Sequence, residues 1–221
     1  MMTQFLLASG SPRRRELLGL LGLSFRIVSA DVDESLQDGE TPLQMVVRLA
    51  QAKASAVANS LQAAEAGIIV AADTTVSLDG IPLGKPADDA EALRLLRALR
   101  GQTHQVHTAI TLLNTHTHQS ASDLATTDVP MRDYSDKEIA AYVATGDPLD
   151  KAGAYAIQHE GFHPVAQMCG CFANVMGLPL CHLARTLRAL GIEMPTDVPV
   201  ACQSHIRYHC PVFATVLAFN D

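Results

Sequence analysis

A chain of 221 residues has room for one large domain or for two small lobes sharing a sheet, and its 48% hydrophobic residues allow a substantial core. The formal charge of −7 argues against a nucleic-acid binder with a wide basic face, though a local basic cluster could still hold a small phosphorylated ligand. No apolar run approaches the roughly 20 residues that cross a bilayer, Arg13-Arg14-Arg15 follows the apolar Phe5–Ala8 in the reverse of a signal-peptide order, and five cysteines form no paired framework; the expectation is a cytoplasmic protein without membrane or nucleic-acid partners.

In chain order the pattern alternates strands and helices, which predicts an α/β fold. Phe5-Leu6-Leu7-Ala8 is a short buried strand. Ser11-Pro12 opens a helix, with serine as N-cap and proline in the first turn, and Leu17, Leu18 and Leu21 form its apolar stripe. A second strand covers Phe25–Val28 and leads to the acidic turn Asp31-Val32-Asp33-Glu34. Thr41-Pro42 starts a helix running to about Leu61, with Val46, Ala50 and Val57 on one face. Ile68–Ala72 is a buried strand, continued by Asp73–Leu78 to the turn Asp79-Gly80. Asp88-x-x-Glu91 is a capping box for a helix ended by Gly101. Two paired strands follow, His104–Leu113 and about Ser122–Arg132, then a helix capped by Ser135-x-x-Glu138 and ending near Gly146. The glycine-rich Ala152–Val175 reads as short strands and loops, and Leu178-Pro179 begins a helix stopped at Gly191. From Pro195 onward there are three prolines and no periodicity, the mark of a tail or an added edge.

Three places carry chemistry. In Leu6-Leu7-Ala8-Ser9-Gly10-Ser11-Pro12-Arg13-Arg14-Arg15, three arginines crowd the positive end of a helix dipole, at about 0.3–1 kcal/mol for each well-placed charge. An anion would relieve that conflict: Ser9, the helix N–H groups, Arg13 and Arg14 could hold a polyphosphate, the alternative being a solvated basic turn. Asp73 follows the apolar Ile68–Ala72 and is expected at the carboxyl end of a buried strand, where α/β sheets place ligands. There it could ligate a metal or take a proton from water; otherwise it caps a turn or helix. Lys53 falls on the apolar stripe with Val46, Ala50 and Val57, so it has an anionic partner or snorkels at the stripe's edge. By pattern alone, Lys85 is a solvated turn residue and Glu34 an ordinary acidic loop residue. Together the cations would neutralise a triphosphate, and the carboxylates could hold a metal and activate water.

Five separated motifs, in order, resemble the Maf family: Leu7-Ala8-Ser9-Gly10-Ser11-Pro12-Arg13-Arg14, Ala72-Asp73-Thr74, Leu83-Gly84-Lys85-Pro86, Asp150–Gln158, and Val175-Met176-Gly177-Leu178-Pro179-Leu180. They cover roughly residues 5–190. The resemblance implies an α/β fold related to the inosine-triphosphate pyrophosphatase type, with two lobes around an extended mixed sheet and a central cleft. It implies hydrolysis of a nucleoside triphosphate to monophosphate and pyrophosphate, with a divalent metal, Mg²⁺ or alternatively Mn²⁺. Asp73 matches the family's proton acceptor; Ser9, Arg13, Arg14, Lys53, Lys85 and Gln158 match substrate-binding positions, and Glu34 an acidic site position. Asp73 and Glu34 are thereby the implied metal ligands. Arg13, Thr74 and Gln158 resemble the dTTP/UTP branch rather than the 7-methyl-GTP branch, and an amide at Gln158 can both donate to and accept from a pyrimidine's imide edge. Modified pyrimidine triphosphates fall in the same class, and the role is house-cleaning of the nucleotide pool. The family commonly forms homodimers.

The chain departs from the family in Ala156-Ile157-Gln158-His159-Glu160-Gly161, where a Gly-Ile-Gln-Gly-type stretch is usual, and in everything after Pro195. The expected organisation is a Maf-like domain over 1–194 and a tail over 195–221. Two alternatives stand beside the pyrimidine enzyme: a pyrophosphatase for 7-methyl-GTP or another purine triphosphate, and a nucleotide-binding regulator of septum formation acting without turnover. His116-Thr117-His118 reads as a surface loop. Cys169-Gly170-Cys171 has strand spacing that puts both thiols on one face, and Cys202, His205, His209 and Cys210 have metal-ligand residue types, with His209 and Cys210 too close in sequence to suit. Tyr155 and Phe162 read as core before base-stacking platforms.

Overall fold

The computed structural model describes residues 4–29, 31–62 and 65–218. The apolar Phe5-Leu6-Leu7 forms strand β1 (Phe5–Leu7), and the serine–proline pair after it starts helix α1 (Pro12–Gly19). Ser11 caps α1 by accepting from the Arg14 N–H, while Pro12 sits where a missing N–H breaks no helical bond. Strand β2 (Phe25–Ile27) and helix α2 (Pro42–Ser60) follow, α2 opening on a full capping box between Thr41 and Gln44. Then come β3 (Ile68–Leu78), β4 (Ile81–Leu83), α3 (Asp89–Leu99), β5 (Thr103–Asn114), β6 (Ser120–Pro130) and α4 (Asp136–Val143). Two 3-10 turns, Asp147–Asp150 and Ala152–Ala154, precede α5 (Phe172–Met176), α6 (Leu180–Ala189), α7 (Val198–Ile206) and α8 (Phe213–Ala218). The Asp88 cap on α3 is half a box: Asp88 accepts from the Glu91 N–H, but Glu91 turns back to the Ala87 N–H.

The strands form one mixed sheet in the order β2-β1-β3-β5-β6, with β4 paired to β3 alone. β1 is parallel to β2 and to β3, where Phe5–Leu7 lie beside Ile68–Val70. β5 runs antiparallel to β3 from Ile68–Asn114 to Ser77–Gln105, and β6 antiparallel to β5. One edge of β3 is thus divided: β1 covers 68–70, β4 covers 76–78, and among the described residues no strand pairs with 71–75 on that side.

Alternation along β3 separates the cores. Ile69 and Ala71 pack on Ala54 and Val57 of α2. On the other face Ile68, Val70 and Ala72 join Leu17 and Leu18 of α1 and Leu183 and Leu187 of α6. Further along that second face, Val76 joins Leu96 and Leu99 of α3, Ile139 and Tyr142 of α4, and Tyr155 and Phe162. The two apolar clusters are the cores of two lobes. Between them runs a polar seam: the Thr74 and Thr108 hydroxyls are 2.9 Å apart, Thr108 donates to the Asn174 carbonyl at 3.2 Å, and the Asn174 amide donates to Val106 O and Thr127 Oγ1 at 3.0 and 2.9 Å.

Two stretches differ from the sequence expectation. Ala152–Val175 contains no strand; it folds as a 3-10 turn, loops, a single bridge from Val165 to Met131, and the start of α5. Gly153 and Ala154, at φ of 71° and 61°, turn the chain out of any extended ladder, and a Cβ on Gly153 would lie 3.0 Å from Val76 Cγ1. Cys169 and Cys171 consequently share no strand face: Cys169 is exposed and Cys171 buried. The stretch from Pro195 supplies α7 and α8. Pro199 stands in the first turn of α7 and Asp197 caps it, so that proline is a helix starter. Val198 and Cys202 enter the α1–α6 core, and Arg185 of α6 donates to the Val216 carbonyl of α8 at 2.9 Å. Among the described residues no helix is long and apolar enough to cross a membrane.

Candidate active site

A cleft of about 430 Å³ opens between the lobes at the uncovered edge of β3. Arg13, Arg14, Lys53, Lys85 and Lys151 line it against the carboxylates Glu34, Asp73 and Asp150, so an acidic protein presents an excess of positive charge here. The residues the sequence matched to catalysis, substrate and metal are all on its wall: Ser9, Arg13, Arg14, Glu34, Lys53, Asp73, Thr74, Lys85 and Gln158.

Asp73 is not at a strand end. It lies in the middle of β3, opposite Ala109 of β5. The end that matters is that of β1, whose parallel pairing stops at Leu7–Val70, so that Asp73 lies at the centre of the uncovered segment 71–75. Its side chain shares the α2 face, where Lys53 waits on the helix stripe. Both are buried, at 6% and 8% exposure, and Lys53 Nζ stands 2.7 Å from Asp73 Oδ1. The same ammonium reaches Glu34 Oε1 at 2.5 Å, which draws the loop after β2 over the cleft. Burial pushes the Glu34 carboxyl up, but the hydrogen bond and charge of Lys53, with Lys85 and Arg14 beyond, outweigh it and hold it below its ordinary value.

Thr74 points to the opposite face, toward α1. Arg14 reaches it from the first turn of that helix, donating from Nη2 to Thr74 Oγ1 at 2.9 Å, from Nε to the Gly177 carbonyl at 2.8 Å and from Nη1 toward Ser9 Oγ at 3.5 Å. Burial lowers the Arg14 pKa against the opposing charge of Asp73, yet a guanidinium stays charged at any ordinary pH. Gly177 has φ of 105°, and a Cβ there would meet Thr74 Oγ1 at 3.3 Å and Arg14 Nε at 3.5 Å. Ser9 Oγ also accepts from the Ser11 N–H at 3.2 Å, which closes the turn between β1 and α1. Arg13 and Lys85 face the cleft with no ion-pair partner among the described residues, and Gln158 is exposed on the far wall.

The sequence reading missed Lys151. It is buried at 7% and donates to the Asp147 carbonyl, Asp147 Oδ1 and Asp150 Oδ1 at 2.5, 2.9 and 2.6 Å. Its signal was the spacing Asp147-x-x-Asp150-Lys151, two carboxylates within one turn of a lysine. Tyr155 is both core and wall: it is 6% exposed, bonded to His104 Nε2 at 2.8 Å, and borders the cleft. Phe162 is core alone, stacked on Tyr142 at 4.4 Å.

Asp73 and Glu34 converge on one cationic atom, a donor set of hard oxygens suited to Mg²⁺, which typically takes one or two carboxylates and completes its shell with phosphate and water. Among the described residues no group of three or more His, Cys, Asp or Glu is placed to hold a metal, so neither the cleft nor Cys202, His205, His209 and Cys210 forms an all-protein cage. The cleft therefore offers a pair of carboxylates bridged by ammonium, a helix start with two guanidinium groups for anionic oxygens, and opposite them an amide with no hydrogen-bond partner among the described residues.

Residues 4–190 match the family model described as Maf-like protein. The chain is 45% identical over 193 residues to a dTTP/UTP pyrophosphatase of Pelotomaculum thermopropionicum, covering 87% of this chain and all of that protein. It is 45% identical over 206 residues to a dTTP/UTP pyrophosphatase of Anaeromyxobacter dehalogenans, covering 90% of this chain and all of that one. Among solved structures, the Staphylococcus aureus Ham1 protein aligns over 75% of this chain and 81% of its own at 16% identity, with a TM-score of 0.47.

Proposed function

The chain belongs to the Maf-like family, and from that premise we propose that it hydrolyses dTTP and UTP, with modified pyrimidine triphosphates, to the monophosphate and pyrophosphate, clearing the nucleotide pool. The observation that carries the reading is the open edge of β3. Consecutive residues there present a carboxylate to one face and a guanidinium-bound hydroxyl to the other, inside a cleft of net positive charge.

The triphosphate lies along the start of α1, its oxygens taking the guanidinium groups of Arg13 and Arg14, the Ser9 hydroxyl and the N–H groups of the first turn. Lys85 approaches from the β4 side and adds charge where pyrophosphate departs. Asp73 accepts the proton of the water that attacks the α-phosphorus. Lys53, wedged between Asp73 and Glu34, keeps the two carboxylates together without mutual repulsion. Asp73 and Glu34 would hold a divalent cation, Mg²⁺ or Mn²⁺, which when bound neutralises phosphate oxygens and orients them for in-line displacement. Gln158 reads the imide edge of the pyrimidine from the opposite wall.

The test is pyrophosphate release with Mg²⁺ from dTTP, UTP, CTP, GTP, 7-methyl-GTP and ITP. Turnover is expected on dTTP and UTP, and Asp73→Asn should lower kcat by about 10²–10⁴-fold, the range for a lost general base. Turnover chiefly on 7-methyl-GTP or ITP would overturn the pyrimidine assignment drawn from Arg13, Thr74 and Gln158. Nucleotide binding with no release from any triphosphate would overturn the enzyme reading in favour of a regulator.

A further inference from the structure

Gln158 is exposed and has no hydrogen-bond partner for its side chain among the described residues, so its position is set by the backbone that carries it. That backbone belongs to neither a helix nor a strand. It is a turn, closed by the His159 N–H donating to the Ala156 carbonyl at 3.2 Å, and α4 anchors that turn from both sides. The Ala156 N–H, two residues before Gln158, donates to the Tyr142 hydroxyl at 3.0 Å. One residue after Gln158, the His159 ring meets the Tyr142 ring edge-on, with centroids 4.7 Å apart. A single tyrosine thus holds both flanks of the amide.

The Tyr142 hydroxyl is itself oriented. It donates to Asp147 Oδ2 at 2.6 Å, and Asp147 accepts from the buried Lys151 through its other oxygen. A carboxylate cannot donate, so the phenol proton is committed to Asp147 and a lone pair must face the Ala156 N–H. The chain Lys151–Asp147–Tyr142–Ala156 starts and ends on cleft-lining residues, and Tyr142 itself is 2% exposed and outside the cleft.

We propose that Tyr142 is a positioning residue for nucleobase recognition, fixing the wall that presents Gln158 and so setting the affinity for the pyrimidine ring. The proposal rests on the reading of Gln158 given above. Uracil and thymine present an N–H between two carbonyls, so one amide placed against that edge can donate and accept at once.

Tyr142→Phe keeps the ring against His159 and removes only the hydroxyl. The expected result is a rise of about tenfold in KM for dTTP and UTP with kcat within about twofold, because ground-state and transition-state binding fall together. Tyr134→Phe is the control: Tyr134 is equally buried in the same lobe and donates to the Leu96 carbonyl at 2.9 Å, but does not line the cleft. It loses one buried hydrogen bond where Tyr142→Phe loses two, and should leave KM unchanged. Hydrogen–deuterium exchange reads the wall without any substrate: amides over 156–160 should exchange faster in Tyr142→Phe and not in Tyr134→Phe. An unchanged KM in Tyr142→Phe, or an equal rise in both variants, overturns the proposal. If the wild type releases no pyrophosphate from either nucleotide, the assigned reaction falls, and unchanged exchange over 156–160 would overturn the positioning role separately.

Discussion

Removing Lys53 should do more damage to folding than removing either of its partners. At 2.7 Å and an effective dielectric constant of about 20, the gross attraction between Lys53 and Asp73 is about 6 kcal/mol. Most of that offsets the desolvation of two groups that are each under 10% exposed, so the net worth of the intact pair is small. Lys53→Met removes the attraction and leaves the desolvated Asp73 carboxylate behind, for a loss of about 3–5 kcal/mol. Asp73→Asn is milder, since Lys53 keeps Glu34 as a partner. Glu34→Gln should change stability by less than about 1 kcal/mol, because that side chain is half exposed. The Lys53→Met/Asp73→Asn double variant should be more stable than Lys53→Met alone, with a coupling energy of about 1–3 kcal/mol. Urea unfolding of the four variants and the wild type at pH 7.5 measures each difference, provided the slopes agree. A Lys53→Met penalty below about 1 kcal/mol with an unchanged slope, or single-variant losses that simply add, would refute the claim that the carboxylate at the cleft depends on this lysine.

Gly177→Ala should lower stability by about 1–3 kcal/mol through its positive φ and raise KM for dTTP by crowding Arg14, whereas Gly39→Ala, with φ of 74° and open space around it, should leave KM unchanged in the same assay. His104 makes stability depend on pH: burial pulls its imidazole from 6.5 down to about 4, and its buried Nδ1 has no partner. The unfolded chain takes up that proton first, so the contribution is full above about pH 6.5 and fades as pH falls toward 4, by about 2 kcal/mol between pH 7.5 and pH 5. His104→Gln should remove that part of the slope in paired urea titrations at the two pH values.

Where a proline followed a capping residue, the structure follows the local rule. Ser11-Pro12 and Thr41-Pro42 announced helices because capping and proline chemistry act within four residues. Lys53 was legible as a lysine on an apolar stripe, and its partners are indeed carboxylates. Ala152–Val175 was illegible because what shapes it is long-range: the Gly153 N–H bonds to Gly84, and Gly170 packs on Thr127. The prolines after Pro195 read as breakers because a proline at a helix start and one at a helix end look alike until Asp197 is seen capping the turn.

The placement of Asp73 shows why the site needed a fold as well as a motif. Ala72-Asp73-Thr74 is a stretch of ordinary strand, and in a strand paired on both sides its polar groups would have no access to a ligand. Three features of the topology change that. β1 ends at Leu7, so its backbone turns away through Ser9 and into α1 instead of continuing beside Ala71–Thr75. β4 resumes pairing only at Val76, which closes the gap from the other side. The period of two then sends Asp73 toward α2 and Thr74 toward α1, so a single step along the chain delivers a carboxylate to Lys53 and a hydroxyl to Arg14. A one-residue slip of β1 against β3 would turn Leu6 and Leu7 to the wrong faces and carry Ser9 and the start of α1 out of register with Thr74. The apolar residues fix that register: Leu6 with Ile69 and Ala71 faces α2, and Leu7 with Val70 and Ala72 faces α1, so a slipped sheet would misalign both cores. The arrangement of the cleft groups is in this sense held by hydrophobic burial on either side of the gap.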